Sequence, residues 1–315
     1  MKKMLLWCCV LLLCMASVAA GSQNYPTKPI RVVIPAAPGG STDILGRIVG
    51  NAIEKYLGQP FVIVNISGAG GVPATSEVLK SKPDGYTLLL FHTMISTAYH
   101  TGVAPYNHSA FEPVCRLAVA NGIVVVKSDA PWDNINEFAD DVRRKPGEYI
   151  YAMGSGGTSH FLGVLLNSKM GLDLRLVDVG SGANRIAALE GRHAHVIYEA
   201  VGPLMQMLEA GEFKCLGVLA EERDSALPDV PTFREQGHDI VFPQPFGIFA
   251  PKGLPKDVSE KLQDALQKVL LDEEVAESLT NLYYHTAFLN SEEYGKFLEE
   301  EDALIEEIAR EIDAN

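Results

Sequence analysis

Residues 29–35 (PIRVVIP) form an apolar run closed by proline at both ends, the pattern of a short buried strand. Residues 42–57 place Ile44, Leu45, Ile48, Val49, Ala52, Ile53 and Leu57 on one stripe of period 3.6. That is a helix, started by Ser41 or Thr42 and stopped by Gly58 and Pro60. Strand 61–64, glycine-rich loop 65–71 and helix 72–81 follow, and Pro83-Asp84-Gly85 turns the chain into strand 86–91. Further on, strands are expected at 122–127, 149–152, 174–179, 195–199 and 215–219, and helices at 135–144, 160–169 and 185–190. The chain ends in helices. Val258, Leu262, Ala265, Leu266 and Val269 share one stripe, and Tyr294, Phe297, Leu298, Leu304, Ile305, Ile308 and Ile312 share another. Strand–loop–helix repeats imply α/β units, each a mainly parallel sheet flanked by helices. No low-complexity linker separates the two units, so short strands are expected to cross between them as a hinge.

A length of 315 residues suits one large or two medium domains. Apolar residues at 47% and charged residues at 21% exclude a disordered chain, a collagen and a coiled-coil rod. The formal charge of −14 argues against a nucleic-acid partner, since no basic patch can displace phosphate counterions. It also argues against docking on an anionic membrane. Residues 291–315 carry much of that charge and read as a solvated helix face.

Residues 1–20 read as a secretory signal peptide. Lys2 and Lys3 precede an apolar stretch, and Val18-Ala19-Ala20 puts small residues before a cut ahead of Gly21. Its removal takes the bases from 26 to 24 against 40 acids, a net charge of −16. It leaves two cysteines, Cys115 and Cys215, in an oxidising compartment, here the periplasm. They are either bridged or two separate buried thiols in two strands.

The candidate chemistry lies in the glycine-rich turns. Ala37-Pro38-Gly39-Gly40-Ser41-Thr42-Asp43 opens the first helix, and Ser155-Gly156-Gly157-Thr158-Ser159 opens the helix at His160. Glycine lets backbone N–H groups approach a ligand, and the helix behind presents orphan donors and the positive end of its dipole. Each turn is therefore an anion seat. Ser67-Gly68-Ala69-Gly70-Gly71 offers a third. None of the three holds Lys or Arg, so an anion there would rest on amides, hydroxyls and water. Enzyme signatures fail. There is no Gly-Lys-Ser/Thr phosphate loop and no G-x-G-x-x-G in these loops, and Gly157-Thr158-Ser159-His160-Phe161 misses the hydrolase elbow at its last place. His193 and His195 share a strand face without a third ligand nearby, so no metal and no cofactor is expected.

These residues resemble a known family, the solute receptors of tripartite tricarboxylate transporters, or Bug/TctC-type extracytoplasmic binding proteins. The resemblance rests on Tyr25-Pro26-Thr27-Lys28-Pro29-Ile30, Pro38-Gly39-Gly40 with Asp43, Leu57-Gly58-Gln59-Pro60 and Gly68-Ala69-Gly70-Gly71. It continues through Pro83-Asp84-Gly85-Tyr86-Thr87-Leu88, Lys145-Pro146-Gly147, Leu227-Pro228-Asp229-Val230-Pro231-Thr232 and Phe246-Gly247-Ile248-Phe249-Ala250-Pro251. It implies a two-lobed periplasmic binding protein of type II-like fold, with an interlobe cleft and a hinge. Lobe one would be 24–121 plus 246–315, and lobe two 122–245.

The resemblance also implies a ligand carboxylate seated between residues 37–43 and 155–159 with bridging waters. Second contacts would come from His92, Thr93, Ser67, Ala69, Gly70, Ser181, Gly182 and Ala183. The implied role is a monomeric receptor that catalyses nothing. It takes a di- or tricarboxylate, amino acid or aromatic acid to a membrane permease, or alternatively signals to a sensor kinase. Some residues depart from the family: Ile66 where Arg is common, Ala194-His195 where Val-Asp is usual, and Glu199 where Asp or Asn is more usual. Glu199 facing the cleft would repel an acid or bind an amine. A secreted hydrolase using Ser159 is a third reading.

Overall fold

The computed structural model describes residues 25–313; the signal-peptide reading falls outside them. Two sheets organise the chain. In order, its elements are β1 (Ile30–Ile34), α1 (Ser41–Ala52), α2 (Glu54–Leu57), β2 (Phe61–Asn65), α3 (Val72–Leu79), β3 (Thr87–His92), α4 (Met94–His100) and β4 (Phe111–Ala120). Then come β5 (Gly122–Lys127), α5 (Ile135–Arg144), β6 (Ile150–Met153), α6 (Thr158–Met170), β7 (Arg175–Asp178), α7 (Gly182–Glu190), β8 (Val196–Ala200), α8 (Val201–Glu209) and β9 (Phe213–Val218). The last are β10 (Gln244–Pro251), α9 (Lys256–Leu270), α10 (Glu273–Thr280), β11 (His285–Leu289) and α11 (Ser291–Asp313).

The first sheet runs β11-β4-β10-β3-β1-β2 and the second β7-β6-β8-β5-β9. The expectation of mainly parallel sheets is corrected: both are mixed. Strands joined through helices pair in parallel, as β1 does with β2 and β3, and β6 with β7 and β8. Strands that cross between sheets pair antiparallel. β10 runs against β3 and β4, and β5 against β8 and β9. A parallel neighbour needs a helical crossover on the same sheet, and a strand arriving from the other lobe has none.

β1 is buried along nearly its whole length because helices cover both faces of its sheet. α1 can lie close to it because Gly46 has no side chain. A Cβ there would meet Ile34 Cδ1 at 2.5 Å. One core gathers Ile34, Leu45, Leu90, Ile248 and Leu266 on the first sheet. Another gathers Val124, Phe138, Tyr151, Phe161 and Phe233 on the second.

β4 and β5 are separated only by Asn121, where the chain crosses between sheets. The return runs through residues 219–243, whose Phe233, Ile240 and Phe242 stay in the second core. Asn121 Nδ2 donates to Asp224 Oδ2 at 2.9 Å, and His285 Nε2 lies 3.0 Å from the same oxygen. This polar knot ties both crossings to β11. A third connection was not foreseen. α11 starts on the first sheet, where Tyr294 and Leu298 pack with Phe249. It ends in the second core, where Ile305 and Ile308 pack with Phe161 and Leu165. The helix that the expected partition gives wholly to lobe one thus finishes in lobe two.

The disulfide option is corrected as well. Cys115 lies on β4 of the first sheet and Cys215 on β9 of the second, and both are free thiols. Burial pushes both well above the ordinary thiol pKa, Cys215 to about 12, which keeps them protonated and unreactive.

Candidate functional site

The parallel strands of both sheets end on the side where the lobes face each other, where open α/β sheets seat ligands. In lobe one, β1 runs into residues 35–40 and then α1. Gly39 takes φ +82°, a left-handed turn that glycine adopts without strain. Among the described residues no side chain caps α1 at Gly40, so its first N–H groups stay open.

Asp43 is only 2% exposed and does not face the cleft as a free group. Its Oδ2 accepts from Gly39 N at 2.8 Å and from Arg47 Nε at 2.9 Å, and its Oδ1 accepts from Asn65 Nδ2 at 2.9 Å. Burial alone would raise this carboxyl. The bonds from Arg47, Gly39 and Asn65 outweigh it and hold the pKa below its ordinary value. Tyr284 Oη donates to Ser41 O at 2.7 Å and fixes the helix start from outside. Asp43 therefore shapes the seat, and Arg47, Asn65 and Tyr284 were missed. Arg47 alone was legible, four residues after Asp43 on one helix face.

In lobe two, β6 runs into residues 154–157 and then α6, which also lacks a side-chain cap, at Gly157. Ser159 is buried. Its Oγ accepts from Gly154 N at 3.0 Å, and its carbonyl accepts from Tyr151 Oη at 2.9 Å. His160 Nδ1 accepts from Gly156 N at 3.4 Å. Ser159 and His160 are thus each engaged with the loop backbone and not with one another, which is not the pairing a serine nucleophile needs. Thr158 Oγ1 is buried without a partner among the described residues. Asp178, at the end of β7, ties this loop to the next by accepting from Gly180 N at 2.9 Å. Hydrogen bonds from Ser155 and Gly180 hold its carboxyl below the ordinary range.

The two lobes meet here. A Cβ on Gly156 would stand 2.9 Å from Val103 Cγ2 and 3.1 Å from Thr101 Oγ1 of lobe one. Gly70 faces the same Val103, with its Cβ position 2.8 Å from Cγ1. The structure thereby brings the loops at 68–71 and 154–157 to one rim. Ser67 and Ala69 are exposed beside it.

His92 is half-buried between the rings of Phe91 and Phe246, and its Nδ1 accepts from Met94 N at 3.3 Å. Desolvation pulls its pKa down to about 4, so the imidazole is neutral. Thr93 is buried, and its hydroxyl donates to Glu301 of α11 at 2.8 Å. In the last loop, Ser181 Oγ caps α7 by accepting from Asn184 N at 3.4 Å, while Gly182 packs on Glu199 and Ala183 is exposed. Glu199 is not a free anion. Arg185, unforeseen in the sequence, places Nη2 2.6 Å from Glu199 Oε2. A separate pocket of about 270 Å³ lies at the hinge between Asp224 and Tyr284, lined by neither glycine loop.

Two α/β lobes on mixed sheets, crossed by two strands and touching where the loop at 154–157 meets Thr101 and Val103, define a two-lobed periplasmic binding protein. The sequence pattern of the tripartite tricarboxylate transporter family receptor matches residues 45–313, and the chain belongs to that family. It is 32% identical over 257 residues to a UPF0065 protein of Bordetella pertussis, covering 80% of each chain. A solved periplasmic transporter superimposes with a TM-score of 0.82 at 31% identity, over 91% of this chain and 98% of that one. MatC (Rpa3494) from Rhodopseudomonas palustris, solved with bound malate, gives 0.79 at 28% identity over 90% and 100%.

Proposed function

We propose that this protein is an extracytoplasmic receptor that captures a small organic carboxylate between its lobes and delivers it to a tripartite-type membrane permease. One observation carries the reading. Two glycine-rich loops open two uncapped helices, α1 and α6, each after the carboxyl end of a parallel strand, β1 in one sheet and β6 in the other. An anion between them would collect amide donors and two positive dipole ends at once, with no basic side chain in either loop. The malate bound to MatC is consistent with a ligand of this class. Binding closes the cleft over the ligand, and the closed form is the one a permease would recognise. Export through the N-terminal leader would place the receptor in the periplasm. The surface charge slows capture of anions at low salt without forbidding it, because repulsion is screened beyond about 8–10 Å.

Thermal unfolding against mono-, di- and tricarboxylates, amino acids and aromatic acids tests this. A true ligand at 100 times its Kd adds about 2.7 kcal/mol. That is a rise of roughly 5–10 °C for a chain of this size. A selective rise with one acid supports the receptor and names its substrate. A flat panel on protein shown to be empty by native mass spectrometry overturns it.

A further inference from the structure

We propose that Arg185 and Glu199 form a specificity-determining pair in the lobe-two half of the cleft, in which Arg185 neutralises a carboxylate that would otherwise repel an anionic ligand. The proposal rests on the carboxylate-receptor reading. Glu199 is the penultimate residue of β8, at the strand end that faces the cleft. Arg185 lies in the first turns of α7, just behind the loop at 180–182. Its Nη2 meets Glu199 Oε2 at 2.6 Å, and its Nη1 donates to Gly180 O at 3.0 Å. The two side chains are 12% and 14% exposed. Desolvation at that depth strengthens the attraction and makes either charge costly alone.

The surrounding loops are fitted to the pair. A Cβ on Gly182 would come within 2.5 Å of Glu199 Oε2. A Cβ on Gly154 would come within 2.5 Å of Gly180 O and 3.5 Å of Arg185 Nη1. The lobe-two seat at 154–159 and the loop at 180–182 thus close around one ion pair.

The local polar inventory favours an acceptor-rich guest. Arg185 Nε, Thr158 Oγ1 and Tyr198 Oη are buried without partners among the described residues, and each can donate. Tyr198 neighbours both charges, with Glu199 and Arg185 acting on its hydroxyl in opposite directions. With the pair intact, Glu199 adds no net charge to this half of the cleft, where Asp178 is already engaged by Ser155 and Gly180, and the buried groups offer donors. Without Arg185 it carries a bare carboxylate, which selects an ammonium group instead.

Calorimetry on the full mature chain tests this with malate, adipate and citrate against aspartate and lysine as probes. The variants are Arg185→Gln, Glu199→Gln and the double variant, each first checked for an unchanged unfolding cooperativity. Arg185→Gln is expected to weaken the best carboxylate roughly tenfold to a hundredfold, the scale of a like charge left facing the ligand. It should shift preference towards the amine-bearing probes. The double variant should recover most of the loss, because no charge is left unpaired. Wild-type affinity retained within about twofold in Arg185→Gln, or a double variant no better than the single, overturns the proposal. Amide exchange at 180–183 is read without ligand. Faster exchange in Arg185→Gln supports the pairing, and unchanged protection overturns it. A wild-type protein that binds none of the probes overturns the receptor reading itself, a result distinct from failure of the pair alone.

Discussion

The loops at 37–43 and 154–159 both open an uncapped helix, yet they are held in different ways. In lobe one the brace is inside the seat. Asp43 belongs to α1, and it takes the Gly39 N–H, the Arg47 guanidinium and the Asn65 amide onto one buried carboxylate. In lobe two Ser159 of α6 takes the Gly154 N–H in the same internal way, but the charged braces come from neighbouring strands: Asp178 at the end of β7, and Glu199 with Arg185 beside β8. The first seat needs its own helix and β2, with one bond from afar, the Tyr284 hydroxyl on Ser41 O. The second depends on how three sheet connections are positioned relative to each other. A receptor built this way can keep its lobe-one anchor constant and change its ligand by altering lobe two.

The largest effect should come from Asp43→Ala. It strands three donors at a nearly buried site, and a loss of about 2–4 kcal/mol is expected in urea unfolding. Carboxylate binding should vanish with it. A loss below about 1 kcal/mol would mean that the lobe-one brace is not internal after all. Next comes the contrast between Gly182→Ala and Gly39→Ala. The Cβ at Gly182 collides with Glu199 held by Arg185, whereas Gly39 has open space and pays only for its left-handed φ of +82°. About 1–3 kcal/mol is expected at Gly182 from overpacking and about 1 kcal/mol at Gly39. Ligand affinity should fall more at Gly182 than at Gly39.

The smallest effect is in pH. The Asp43 and Asp178 carboxyls are both held below their ordinary pKa. Their contribution is therefore fully present above the unfolded carboxylate value near 3.9 and is lost as pH falls through the lowered folded values. Unfolding free energy measured from pH 7 down to about pH 2.5 should fall at the acid end. Asp43→Asn should flatten that fall more than Asp178→Asn, because Asp178 is exposed. Equal flattening would erase the proposed difference between the seats.

The regular elements were legible because their patterns are local. The strand at 122–127 and the helix at 135–144 stand where apolar spacing puts them. β4, β10 and β11 were not assigned, because their antiparallel pairing joins strands far apart in the chain and leaves no strand–loop–helix repeat to mark them. The expected helix over 42–57 divides into α1 and α2 at Ile53, where the backbone stays right-handed helical, so the apolar stripe runs on as read. The glycine loops were visible as seats, but their braces were not. Arg47 lies on the helix of Asp43, whereas Arg185 reaches Glu199 across a turn and a strand, and Thr93 turns to Glu301 far along the chain. Long-range partners of this kind leave no local spacing to read.

The last helix has a consequence for how the molecule moves. Two strand crossings define an axis and leave one rotation about it, like the pins of a door. α11 is a strut off that axis, seated in lobe one by Tyr294 and Leu298 and in lobe two by Ile305 and Ile308. A rigid strut would abolish the rotation, so opening must make the helix bend, or slip at one seat. Between the seats lie Glu301 and Asp302. Glu301 is buried, with a pKa raised to about 7 by its desolvation, and Asp302 is held between His100 and His108. The swing of the lobes is thus geared to a short, largely buried polar segment between the two seats of this helix, and the gear ratio can be altered there without changing either glycine-rich loop.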